Sequence, residues 1–127
     1  MSDKKPVVFI SGPMTGIADF NRTTFNSLAE VLEEQGFVVL NPAVLPDGLA
    51  HEQYMKITLA MLEEADVMFL LDGWDNSKGA KQEFIKAKRL ELLFMYESNV
   101  ALKAAVESSR HFNAVAREAK VENSICY

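Results

Sequence analysis

Four short runs of apolar residues, each closed by a turn or breaker residue, constrain this chain more than any other feature. They are "PVVFISG" from Pro6, "FVVLNP" from Phe37, "DVMFLLDG" from Asp66 and "LLFMY" from Leu92. Each is too short for a helix of its own, and the first two are rich in β-branched residues. A continuous apolar run, rather than an alternating one, marks a strand buried on both faces, which is the pattern of a parallel sheet.

Helical patterns fill the gaps. Phe25, Leu28, Val31 and Leu32 recur at spacings of three and four, with Asp19 or Asn21 as an N-cap and Gly36 as the stop. The segment from His51 to Glu64 reads as a second helix with Tyr54, Ile57, Met61 and Leu62 on one side. A third runs from a cap at Asn76 or Ser77 to about Leu90, and Leu102, Ala105, Val106, Phe112 and Ala116 mark a last amphipathic helix before a patternless tail over 120–127. Strands alternating with helices predict an α/β domain in three layers, flavodoxin-like (Rossmann-like), with a parallel sheet of four or five strands in the order 2-1-3-4, with any fifth strand beyond strand 4. All 127 residues are expected to form one such domain.

Nearly half the residues (49%) are apolar, enough for a real core. The net charge of −5, with acids and bases interspersed, argues against binding bulk nucleic acid, which needs a basic face. A single cysteine, Cys126, excludes a disulfide framework and a multi-cysteine metal site, and His51 and His111 form no recognisable ligand cluster. No apolar run approaches the length of a membrane span, and the polar start "MSDKKP" carries no signal-peptide pattern. The expectation from composition is a soluble, intracellular single domain.

In an open parallel sheet of this order, ligands bind at the carboxyl ends of the strands, where strands 1 and 3 part company. The two loops there have the most unusual composition in the chain. "SGPMTG" offers Gly12 and Gly16 for positive φ or close backbone approach, hydroxyls from Ser11 and Thr15, and Met14 between them. It lacks the lysine of a Walker loop and the three glycines of a dinucleotide fingerprint, so a plain strand-to-helix turn is the alternative. In "WDNSKGAKQE", a helix starting near Ser77 would aim its first amides at the cleft and favour an anion. Glu83 falls six residues after Ser77 and four after Gly79. Composition alone favours a solvated Glu83; the other reading points it into the cleft. Trp74, the sole tryptophan, either stacks on a ligand or closes the end of the sheet as an apolar lid. Asp72 and Asp75 read as turn formers, and Met55, Met61, Met68 and Met95 as core filler.

The ordered pattern "FISGPMTG … FN … LEEQGFVVLNPA … YM … L … ADVMFLLDGW … SKGAKQE … A", over about residues 7–95, resembles a phage and bacterial family of uncharacterised proteins grouped with the nucleoside 2-deoxyribosyltransferase superfamily. The offset of Ser77, Gly79 and Glu83 is similar to that of the 2′-deoxynucleoside 5′-monophosphate N-glycosidases of that superfamily. The resemblance implies Glu83 as nucleophile at C1′ of a deoxyribose, with Ser77, Gly79 and the loop of Ser11, Gly12, Met14 and Gly16 cradling phosphate or sugar. It implies a hydrolase or transferase acting on a small nucleoside or nucleotide, no cofactor, a homodimer or larger oligomer packed through the helices flanking strand 3, and the cytoplasm of a bacterial or phage-infected cell. One position departs from the pattern. Where the superfamily carries an aspartate about two turns before the aspartate of strand 3, this chain has Thr58. Its hydroxyl can bond a sugar but is no acid near neutral pH. Glu52, Glu63 and Asp72 are the acids that would have to substitute. A nucleotide-binding protein with a degenerate site is the alternative, and an interaction module a third.

Overall fold

The computed structural model describes residues 4–98; the last amphipathic helix and the tail expected from the sequence lie outside them. Four parallel strands, β1 (Val7–Ser11), β2 (Val38–Leu40), β3 (Val67–Leu70) and β4 (Leu93–Tyr96), form one sheet in the order β2-β1-β3-β4. Helix α1 (Arg22–Glu34) lies between β1 and β2, α2 (His51–Glu63) between β2 and β3, and α3 (Lys78–Arg89) between β3 and β4. The fold is the three-layer flavodoxin-like α/β sandwich, with four strands among the described residues.

The runs are apolar throughout because alternate residues serve opposite faces. Val8, Ile10, Val67, Phe69 and Leu71 pack on one side with Phe25, Ala29 and Leu32 of α1. Phe9, Met68, Leu70 and Phe94 pack on the other with Leu62 of α2 and Ala87 of α3. The central strands β1 and β3 are locked in register at both ends. The Asp66 carboxylate accepts from the Val7 amide at 2.9 Å at one end, and the Leu71 amide donates to the Ser11 carbonyl at 2.8 Å at the other. Asp66 is therefore a strand clamp.

Some local expectations shift. Val31 is 47% and Ile57 38% exposed, so the buried stripe of α1 is Phe25, Ala29 and Leu32, and that of α2 is Thr58 and Leu62. Asn21 occupies the N-cap position of α1, but its amide donates to the Pro13 carbonyl at 2.9 Å instead of accepting from the helix. Ser77 does cap α3, its hydroxyl accepting from the Ala80 amide at 3.2 Å. Among the described residues no helix is long and apolar enough to cross a membrane.

Candidate active site

A cavity of about 340 Å³ opens at the carboxyl ends of β1 and β2, walled by the loops after those strands and by the first halves of α2 and α3. Its most unusual feature is Glu83. On α3 the residues turned to the sheet are Ala80, Glu83 and Ala87, so a carboxyl occupies a position where helical spacing calls for an apolar side chain. Glu83 is 7% exposed. Composition favoured a solvated residue; packing of the small Ala80 and Ala87 against the sheet draws this face inward and takes the carboxyl with it.

A buried carboxyl needs partners. The hydroxyl of Ser11, the last residue of β1 and itself fully buried, donates to Glu83 Oε1 at 2.6 Å. The Thr58 hydroxyl, buried on α2, bonds the same carboxyl, while also lying 3.4 Å from the Met55 carbonyl. Burial nonetheless dominates: it raises the Glu83 pKa from 4.5 to about 7, with the bonds from Ser11 and Thr58 pulling in the opposite direction. The result is a carboxyl that exchanges its proton near neutral pH in a walled cavity, the state suited to nucleophilic or proton-transfer work.

The residues singled out in the sequence divide. Ser11, Gly12, Met14, Thr58, Ser77, Gly79 and Glu83 all line the cavity, although they come from three separate segments. Gly12 has an ordinary φ. Its role is close approach, since a Cβ there would stand 2.7 Å from Leu71 Cβ. Gly16 is off the cavity lining and supplies a turn at φ +84°.

Trp74 is not in the cavity either. It packs on Phe84, with centroids 4.6 Å apart, and borders a separate depression with Asp72, Asp75 and Tyr96. With Phe84 it packs against the core cluster of Phe9, Leu62, Met68, Leu70 and Phe94, so the apolar-lid alternative describes its contacts. Of the methionines, Met55 lines the cavity, its sulfur 3.3 Å from where a Gly79 Cβ would stand, whereas Met68 is core. Glu63 is paired with Lys86 at 2.5 Å, and Asp72 accepts from the Ser98 hydroxyl; neither these two nor Glu52 lines the cavity.

The lining residues that the sequence reading did not assign lie mostly on the opposite wall. Phe20 comes from the turn before α1, Arg22 is the first residue of that helix, and Asp47 and Leu49 come from the loop before α2. Arg22 bonds Asp19 at 2.9 Å and also pairs with Asp47, joining the two segments at the wall. The hydrogen bond it donates to the Asp47 carboxylate is the main reason the guanidinium is held even more firmly protonated than usual. Tyr54 donates to the Pro46 carbonyl at 2.6 Å and so shapes the same loop. The "FN" of Phe20 and Asn21, with the "PDG" turn, were the visible signals; nothing in their spacing placed them beside Glu83. Among the described residues no group of three or more His, Cys, Asp or Glu is arranged to hold a metal ion.

No curated protein matches the sequence. Among solved structures, the 2-desoxiribosyltransferase from Leishmania mexicana superposes with a TM-score of 0.59 at 15% identity. The match covers 72% of this chain and 63% of that one, so the chain spans less than two thirds of that protein. At this identity the likeness is one of fold. Residues 6–96 match the family model described as Domain of unknown function (DUF4406), and the chain belongs to that family.

Proposed function

We propose that the protein cleaves the N-glycosidic bond of a nucleoside or its 5′-monophosphate, with Glu83 as nucleophile. The single observation that carries this reading is the buried Glu83 carboxyl, bonded by Ser11 at 2.6 Å in the wall of a nucleoside-sized cavity. The fold shared with a protein named as a 2-desoxiribosyltransferase supports it.

The chemistry follows from the charge that develops. As the C1′–N bond breaks, its electron pair leaves with the base and the sugar becomes oxocarbenium-like. A carboxylate at C1′ stabilises that charge and closes a covalent glycosyl ester, as in retaining glycosidases. Water then gives hydrolysis; a second base gives transfer. Ser11 and Thr58 orient the carboxylate and favour its charged form. The amides at the start of α3, capped by Ser77 and left open to approach by Gly79, suit a phosphate or sugar oxygen. Thr58 stands in place of the aspartate that the superfamily pattern implies, and loss of a proton donor costs on the order of 10²–10⁴ in rate, so slow turnover is expected.

A second reading, a binding protein that does not turn its ligand over, is favoured by the same Thr58 and by the tie between Asp47 and Arg22, which occupies the other carboxylate of the cavity lining. Incubation with the deoxynucleosides and their 5′-monophosphates separates the two. Free base released by the parent protein and not by Glu83→Ala supports the enzyme. Saturable binding with no base released by either supports the second reading, and absence of binding by the whole panel rejects both.

A further inference from the structure

Resting on the reading of the cavity as a nucleoside or nucleotide site, we propose that Phe20 is the platform on which the ligand's base stacks. Phe20 lines the cavity yet is 46% exposed, whereas Phe25, five residues on in the same wall, is fully buried. An aromatic ring left open at a cavity, with the core one turn away, has not been placed there by packing.

The backbone says the same. Asp19, Phe20 and Asn21 have φ of 51°, 52° and 63°, three consecutive residues other than glycine in the left-handed region. Each such residue costs roughly 1–2 kcal/mol. A run of three persists only where its surroundings hold it, and such strain gathers at ligand sites. Here the holding contacts are explicit. The Asn21 amide bonds the Pro13 carbonyl at 2.9 Å, Arg22 bonds Asp19 at 2.9 Å, and the Phe20 amide donates to the Ile17 carbonyl at 2.9 Å. A right-handed turn would continue α1 backward and carry the ring elsewhere.

Arg22 completes the platform. Its guanidinium lies 5.3 Å from the Phe20 centroid, over one face of the ring. Paired with both Asp19 and Asp47, it serves as a fixed backing plate and not as a free cation for an anionic ligand. The exposed remainder of the ring offers a flat apolar surface, the complement of a planar heterocycle. The stacking role, one of the two alternatives open for Trp74 in the sequence, thus passes to a phenylalanine on the opposite wall.

Equilibrium binding in a Glu83→Gln background, which stops turnover, tests the assignment. The probes are the deoxynucleosides, their 5′-monophosphates and deoxyribose 5-phosphate, which has no base. Phe20→Ala and Phe20→Leu should weaken the base-bearing probes by on the order of tenfold, the effect of losing one aromatic–base stack. Phe20→Tyr should restore them, and deoxyribose 5-phosphate should bind all four proteins alike. Phe20→Leu keeps an apolar side chain of similar bulk, so it serves if Phe20→Ala fails to fold. Unchanged nucleotide affinity in Phe20→Leu overturns the Phe20 assignment and leaves the cavity assignment standing. So does a loss shared equally by deoxyribose 5-phosphate. No binding by any probe to any of the proteins overturns both.

Discussion

One carboxyl concentrates most of the chemistry. In the folded chain Glu83 holds its proton up to about pH 7, against 4.5 for the ordinary group. Between those values the folded state therefore binds more protons than the unfolded state, and stability falls as pH rises. The cost is fully present above pH 7 and absent below pH 4.5, and it amounts to on the order of 3 kcal/mol. Glu83→Gln, which keeps an acceptor for Ser11 but never ionises, should match the parent in urea unfolding at pH 4 and be more stable at pH 8. Equal midpoints at pH 8 would show that the carboxyl is not desolvated. Ser11→Ala removes a bond that favours the charged form, so it should push the Glu83 pKa up. If Glu83 is the nucleophile, the rising limb of base release against pH then moves to higher pH by about one unit, the scale of a hydrogen bond to a charged group. A limb that stays put while the rate falls would give Ser11 a different role.

At the scale of elements, the site depends on how closely β1, β3 and α3 approach. Gly12 follows β1 directly, and an added methyl would meet Leu71 Cβ at 2.7 Å, a contact with a rigid strand end that cannot swing aside. Gly12→Ala should therefore destabilise by roughly 1–3 kcal/mol and also displace Ser11 from Glu83, visible as a lower urea midpoint. A variant as stable as the parent would mean that the loop has room to yield. Ser77→Ala deletes the α3 cap and should cost about 1 kcal/mol. The elements themselves were legible in the sequence: continuous apolar runs for strands buried on both faces, a three-and-four spacing for α1, Ser77 as a cap. What periodicity missed were details that packing decides. Val31 and Ile57 fit the apolar stripes of their helices but lie outside the buried contacts, and Thr58 takes a buried place on α2 that an apolar residue would ordinarily hold.

For the whole molecule, the outward faces bear on assembly. Ile57 on α2 and Ile85 on α3 are 38% and 52% exposed on two helices that pack together on one side of the sheet. If the expected homodimer forms through these helices, sedimentation at micromolar concentration should give a species near twice the 14.2 kDa chain mass, and Ile57→Glu with Ile85→Glu should return it to a monomer. A single 14.2 kDa species for the parent would remove the dimer. The sequence by itself determined the layers and the strand order, because buried strands, amphipathic helices and right-handed crossovers leave few alternatives for a chain of this pattern. It also marked the loop after β1 and the start of α3 as unusual. Only the tertiary structure decided which side of α3 the cavity occupies, since that depends on how two helices pack on a twisted sheet. That packing buries Glu83, turns Trp74 away to Phe84, and brings Phe20 and Asp47 to the wall opposite. Contacts of this kind join residues tens of positions apart and leave no local spacing to read.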